Sequence, residues 1–118
     1  MALSPRDRER LAALETLTGR VRHAHGLVEQ FASSPREAEQ LGSVLRRAFG
    51  QMKMLCTTNG FDRISQICGG LEMTSRRGMS HIPKARALRD GVGNLTRQVD
   101  IERRQIRTAA QREDAPPE

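Results

Sequence analysis

The stretch SPREAEQLGSVLRRAFGQMKMLCTTNG, residues 34–60, carries the helical signal on which the reading of the whole chain turns. Ser34-Pro35-Arg36-Glu37 has the form of a capping box with proline in the first turn, a start signal for a helix. Asn59-Gly60 is a stop, because glycine accepts the left-handed conformation that ends a helix. Between them Leu41, Leu45, Ala48, Met52 and Leu55 recur at alternating four- and three-residue steps, the spacing of a buried stripe.

The same period extends outward on both sides. Upstream, Ser4-Pro5 offers a hydroxyl N-cap with proline at the first helical position. Leu14, Leu17, Val21, Ala24, Val28 and Phe31 then mark one apolar face, with Arg8, Glu15, Arg22 and Glu29 towards solvent. Gly19 and Gly26 weaken this segment by about 1 kcal/mol each relative to alanine, so packing must hold it. Downstream, a third segment runs from about Asp62 to Arg77 with Ile64, Ile67, Cys68 and Leu71 inward, closed by Gly78. A fourth begins between Ser80 and Pro83 and carries Ala85, Leu88, Val92, Leu95, Val99 and Ile106. No stretch alternates apolar and polar residues over strand length. Short connections between long amphipathic helices favour antiparallel neighbours, so the expected fold is an all-α, antiparallel up-down four-helix bundle over residues 1–110. Residues 111–118 read as a polar tail or the start of a linker.

The 118 residues suit one domain. Lys and Arg outnumber Asp and Glu by 20 to 14, and Lys53 and Lys84 are the only lysines. The positive excess is shared equally between residues 1–60 and 61–118 rather than gathered on one element. Trp and Tyr are absent, and Phe31, Phe49 and Phe61 are the only aromatics, which argues against a base-stacking nucleic-acid platform. No apolar run suffices for a membrane span, and the first residues lack the apolar core of a secretory signal; a cytoplasmic protein is expected. In that compartment a Cys56–Cys68 disulfide is disfavoured. The two cysteines lack metal-ligand spacing, and no phosphate-binding or dinucleotide-binding loop or His-Glu-x-x-His helix occurs, so neither cofactor nor metal is expected. His23 and His25 fall on the first segment and His81 in the turn after the third; surface or partly packed roles are the default for all three.

The outward face of the second segment is unusual for a solvated surface. Gly50 sits in mid-helix, with Ser43, Arg46, Arg47, Lys53, Met54 and Thr57 clustered about it in projection. Neutral drift on a solvated surface would account for it; the sharper reading of a bare backbone position, a flexible thioether and a cationic rim is a contact patch.

At this segment the chain resembles a histidine phosphotransfer (Hpt) domain, of the type found at the N-terminus of chemotaxis kinases. That family carries A-x-H-x-(I/L)-K-G-x-A-x-x-x-G-(F/A) on the second helix of a four-helix bundle. Ala48, Lys53, Gly60 and Phe61 match in register, and Met52 and Cys56 are acceptable at the apolar and small positions. The resemblance implies that Gly50 stands at the address of the phosphorylated histidine, and glycine has no nucleophile. Met54 replaces the glycine that leaves room for phosphohistidine and partner. Lys53 resembles the phosphate-neutralising lysine. Glu72 falls where such domains carry a glutamate that bonds the imidazole; without one, it is expected to pair with Lys53. Cys56 is no substitute nucleophile, since helical phase turns it to the core.

The function so implied is a non-catalytic interaction module in two-component or chemotaxis-like phosphorelay signalling. It would bind a response-regulator receiver domain or a histidine kinase module through Arg46, Arg47, Gly50, Lys53, Met54, Thr57 and Glu72. The alternative is a basic helical adaptor or nucleic-acid-associated protein that reuses the fold. A homodimer formed through an apolar helix face is a further option.

Overall fold

The computed structural model describes residues 3–113 as four helices packed against one another. They are α1 (Pro5–Ser33), α2 (Ala38–Thr58), α3 (Asp62–Arg76) and α4 (His81–Glu113), with a single 3-10 turn, Pro35–Glu37, ahead of α2. No strand occurs among the described residues. Each helix packs on its neighbour in sequence, and α4 returns to pack on α1. The molecule measures 62 × 21 × 18 Å. Its long axis reflects the two outer helices of 29 and 33 residues, the longer spanning about 50 Å at 1.5 Å per residue. None of the described helices is long and apolar enough to cross a membrane.

Local chemistry accounts for most of the helix boundaries. Ser4 Oγ accepts the backbone N–H of Asp7 at 3.1 Å, and Pro5 sits where its missing N–H costs nothing. At the end of α2 the N–H of Phe61 bonds the carbonyl of Cys56 at 2.9 Å and that of Gly60 bonds Thr57 at 3.3 Å. This double closure needs a left-handed residue, and Gly60 supplies it at φ +73°. Phe61, the next residue, is buried in the core. Helix α3 ends at Arg76, one residue before the expected limit, with Arg77 extended and Lys84 reaching back from α4 to cap it. Its Nζ donates to the carbonyls of Ser75 at 3.0 Å and Arg77 at 2.9 Å, placing a cation at the negative end of the helix.

The start of α2 departs from the capping-box expectation. Ser34 makes no side-chain cap bond; its backbone carbonyl already takes the Glu37 N–H at 3.0 Å. The 3-10 turn thereby consumes the donor that a serine cap would have satisfied, and the regular helix begins only at Ala38. Helix α4 runs to Glu113, three residues into the stretch read as a tail; residues 114–118 of that stretch lie outside the described residues.

One core cluster draws on all four helices. On α1 and α4 the apolar faces are those read from the spacing, with Ala13 and Ala110 also buried. On α2 the buried seam is Gly42, Leu45, Phe49, Met52 and Cys56, whereas Leu41, Ala48 and Leu55 are half-buried. The seam is thus turned relative to the expected stripe, because α2 packs on both α1 and α3 and its bulkiest side chain, Phe49, takes the centre. On α3, Ile64, Cys68 and Leu71 are buried as the spacing requires, while Ile67 is half-buried and Ser75 is buried with its hydroxyl on the Leu71 carbonyl.

Gly91 has a packing role that its sequence context hides. A Cβ built on it would lie 2.3 Å from Leu71 Cδ2, so α3 and α4 can approach only over bare backbone. The outer seam of α1 and α4 is closed by Arg89, which donates to both carboxylate oxygens of Glu29 at 2.9 and 3.0 Å and holds that carboxyl below its ordinary range. Urea denaturation of single variants tests this packing. Phe49→Ala is expected to lose about 3–5 kcal/mol, and Leu55→Ala less. Gly91→Ala should lose about 1–3 kcal/mol by overpacking. Gly26→Ala, whose Cβ would meet nothing within 4 Å, should gain about 0.5–1 kcal/mol.

Candidate partner-binding groove

With Phe49, Met52 and Cys56 turned to the core, helical phase puts Arg46, Arg47, Gly50, Lys53, Met54 and Thr57 on the other side of α2. Helix α3 lies alongside and supplies Glu72 and Arg76. All eight residues line one open groove of about 730 Å³, together with Gln51 and Thr58. Gly50 is half-buried on this wall. A Cβ there would stand 3.4 Å from Glu72 Oε2, so the position faces α3 and not the interior.

The charges are arranged by geometry that the sequence leaves open. Glu72 pairs with Arg76 at 3.4 Å, one turn along its own helix. The expected Lys53–Glu72 pair does not form. Lys53 lies one turn closer to the start of α3, its Cε and Nζ each 3.7 Å from a Cβ built on Gly69, where the absence of a side chain makes room for the lysine stem. Thr57 donates to the Lys53 carbonyl at 2.9 Å and shares a hydrogen bond with Ser65 Oγ at 3.1 Å, tying this end of α2 to α3. Met54 is 72% exposed, an apolar side chain left to solvent among cations. Four positive side chains therefore face one carboxylate, which is itself neutralised by Arg76.

Some members of the groove lie outside the sequence-derived set. Gln51, which accepts from Arg20 at 3.3 Å, and Thr58 sit one turn from Arg47 and Met54, and the i,i+4 spacing was available to find them. Arg76 is marked only by its position one turn after Glu72. Gly69 carries no signal of its own. Ser43, expected near Gly50, lines a neighbouring cavity instead.

Other nucleophiles are placed elsewhere. Cys56 and Cys68 are free and buried, and the Cys68 thiol is pushed far up by its hydrogen bond to Cys56 and by burial, so it stays protonated. His23 is exposed, and His25 lies 3.9 Å from Glu29. His81 opens α4 rather than standing in the preceding turn. Its ring stacks on Phe31 with centroids 4.7 Å apart, and its Nε2 lies 3.2 Å from the Ala32 carbonyl. Among the described residues no group of three or more His, Cys, Asp or Glu could hold a metal ion.

Comparison with protein-family models, curated proteins and solved structures found no match to this chain. The neighbour of a new Cβ at position 50 would be the far end of the Glu72 carboxylate, so Gly50→Ala should gain about 0.5–1 kcal/mol of stability from helix propensity and melt at a higher temperature. A lower melting temperature would mean that the position is packed closed.

Proposed function

We propose that this chain is a non-catalytic, Hpt-like interaction module of phosphorelay signalling that docks a receiver domain or kinase module on its α2/α3 groove. The observation that carries the reading is the groove itself. A bare position, Gly50, sits between Glu72 and Lys53, with Met54 exposed one turn on and Arg46 and Arg47 on the rim. Position 50 holds no imidazole, so the groove retains a docking surface without the group that would accept phosphate. Receiver domains are acidic around their phosphoacceptor aspartate, which complements this rim, and Met54 adds apolar area of the kind that anchors protein interfaces.

The antiparallel up-down course of the four helices belongs to the same reading. It is supported by the contacts of Phe31 with His81, Glu29 with Arg89 and Thr18 with Arg103, in which residue numbers fall along α1 as they rise along α4. The contacts of Lys53 with Gly69 and Thr57 with Ser65 relate α2 and α3 in the same manner.

A phosphotransfer assay with a cognate kinase should leave no acid-labile phosphoryl group on the native chain, and label on any histidine would refute the non-catalytic assignment. The double variant Gly50→His/Met54→Gly should acquire that label. Met54→Asp should weaken receiver binding by about tenfold, while the surface change Arg22→Glu on α1 has little effect. Equal effects would remove the groove from the interface. Tight, salt-sensitive binding of short duplex DNA in place of a receiver would favour the basic-adaptor alternative.

A further inference from the structure

The groove over Gly50 does not end at Arg46 and Arg76. The same two arginines wall a second cavity, of about 440 Å³, at the N-terminal end of α2. There Arg77 and Met79 join them, and Gly42 leaves part of the floor as bare backbone, with a Cβ built on it only 3.6 Å from the Ser75 carbonyl. Glu39 is the single carboxylate among the lining residues. Among the described residues neither Arg46 nor Arg77 forms an ion pair, and Met79 is 37% exposed. The surround is held in place beforehand: Lys84 is bonded to the carbonyls of Ser75 and Arg77, and His81 is stacked on Phe31. The backbone of this wall is thus ordered beforehand, and a ligand has only the exposed Arg46, Arg77 and Met79 side chains left to order.

The two cavities share Arg46 and Arg76 as lining residues and together flank α2 from Glu39 to Thr58, about 28 Å at 1.5 Å per residue. Cations lie between two exposed thioethers, Met54 in one cavity and Met79 in the other. Arginine and methionine are the side chains enriched in protein–protein contacts, and a phosphate backbone would have no use for the thioethers.

We propose that the two cavities act as one trough, the second being a further anchoring point of the same interface, and that its occupant is an acidic amphipathic helix of the partner protein. Its carboxylates face Arg46, Arg47 and Arg77, and its apolar side chains rest on Met54 and Met79. This rests on the reading of the α2/α3 groove as a docking face, and adds both the partner's chemistry and a second contact about three turns away.

The test is titration of the isotope-labelled full chain with a synthetic helical peptide of about 20 residues, glutamate-rich with leucine on one face, followed by amide shifts and by fluorescence anisotropy. Amides of residues 39–46 and 75–79 should move together with those of residues 50–58. Arg77→Glu and Met79→Asp, each checked for native circular dichroism, should weaken binding by about fivefold or more, as should Arg47→Glu and Met54→Asp. Arg22→Glu, on the α1/α4 side, should change it less than about twofold. Shifts confined to residues 50–58, with Arg77→Glu and Met79→Asp neutral, would overturn the second anchor and leave the groove reading standing. Shifts confined to the second cavity would overturn the two-point trough and count against the groove reading. Absence of binding, tighter binding of duplex DNA, or an Arg22→Glu effect equal to that of Arg77→Glu would overturn the acidic-helix occupant.

Discussion

Burial of Phe49 is the constraint on which the arrangement of this molecule depends. It is the bulkiest side chain of α2, fully buried, and it shares the seam with Leu45, Met52 and Cys56. An α-helix advances 100° per residue, so seating Phe49 in the core settles the direction of every other side chain on α2. Gly50 is turned towards α3, and Lys53 and Met54 fall on the open side. The groove is thus a consequence of core packing. Its contents are not, since nothing in the core requires glycine at position 50 or a thioether at position 54.

The strong positive charge of the chain divides into two populations. Some cations are spent inside the structure: Lys84 caps α3, Arg10 covers the Phe61 ring at 4.7 Å, Arg89 clamps Glu29, and Arg103 bonds Thr18 at 2.6 Å. These replace water at helix ends and seams. Arg46, Arg47 and Arg77 have no such internal employment among the described residues and line the two cavities beside α2. Net charge alone could not separate the two groups, because an arginine's partner is chosen by which helix lies beside it.

Glycine shows the same division between local and tertiary causes. Gly60 was legible from Asn59-Gly60 at the end of an apolar period, since a left-handed cap is a local demand of the backbone. Gly91 was not, because the Leu71 side chain that excludes a Cβ there comes from another helix twenty residues away. Gly69, over which Lys53 lies, is similar: its value comes from the neighbouring helix. The capping box at Ser34 failed for a related reason. A 3-10 turn closed by the serine's own carbonyl competed for the Glu37 N–H, and residue identities alone do not rank those two bonds.

The amino-acid sequence by itself determined the number of helices, most of their ends and the apolar faces of α1 and α4, because periodicity, caps and stops act within a few residues of chain. It also marked out Arg46, Arg47, Gly50, Lys53, Met54 and Thr57 as neighbours, since all lie on one helix and helical spacing is enough to group them. Only the tertiary structure decided that α2 buries Phe49 rather than Ala48, that Glu72 joins the groove but pairs with Arg76, and that Arg46 and Arg76 are shared with a second cavity. Those outcomes depend on the separation and rotation of whole helices, quantities set by how side chains distant in sequence fill a common interior.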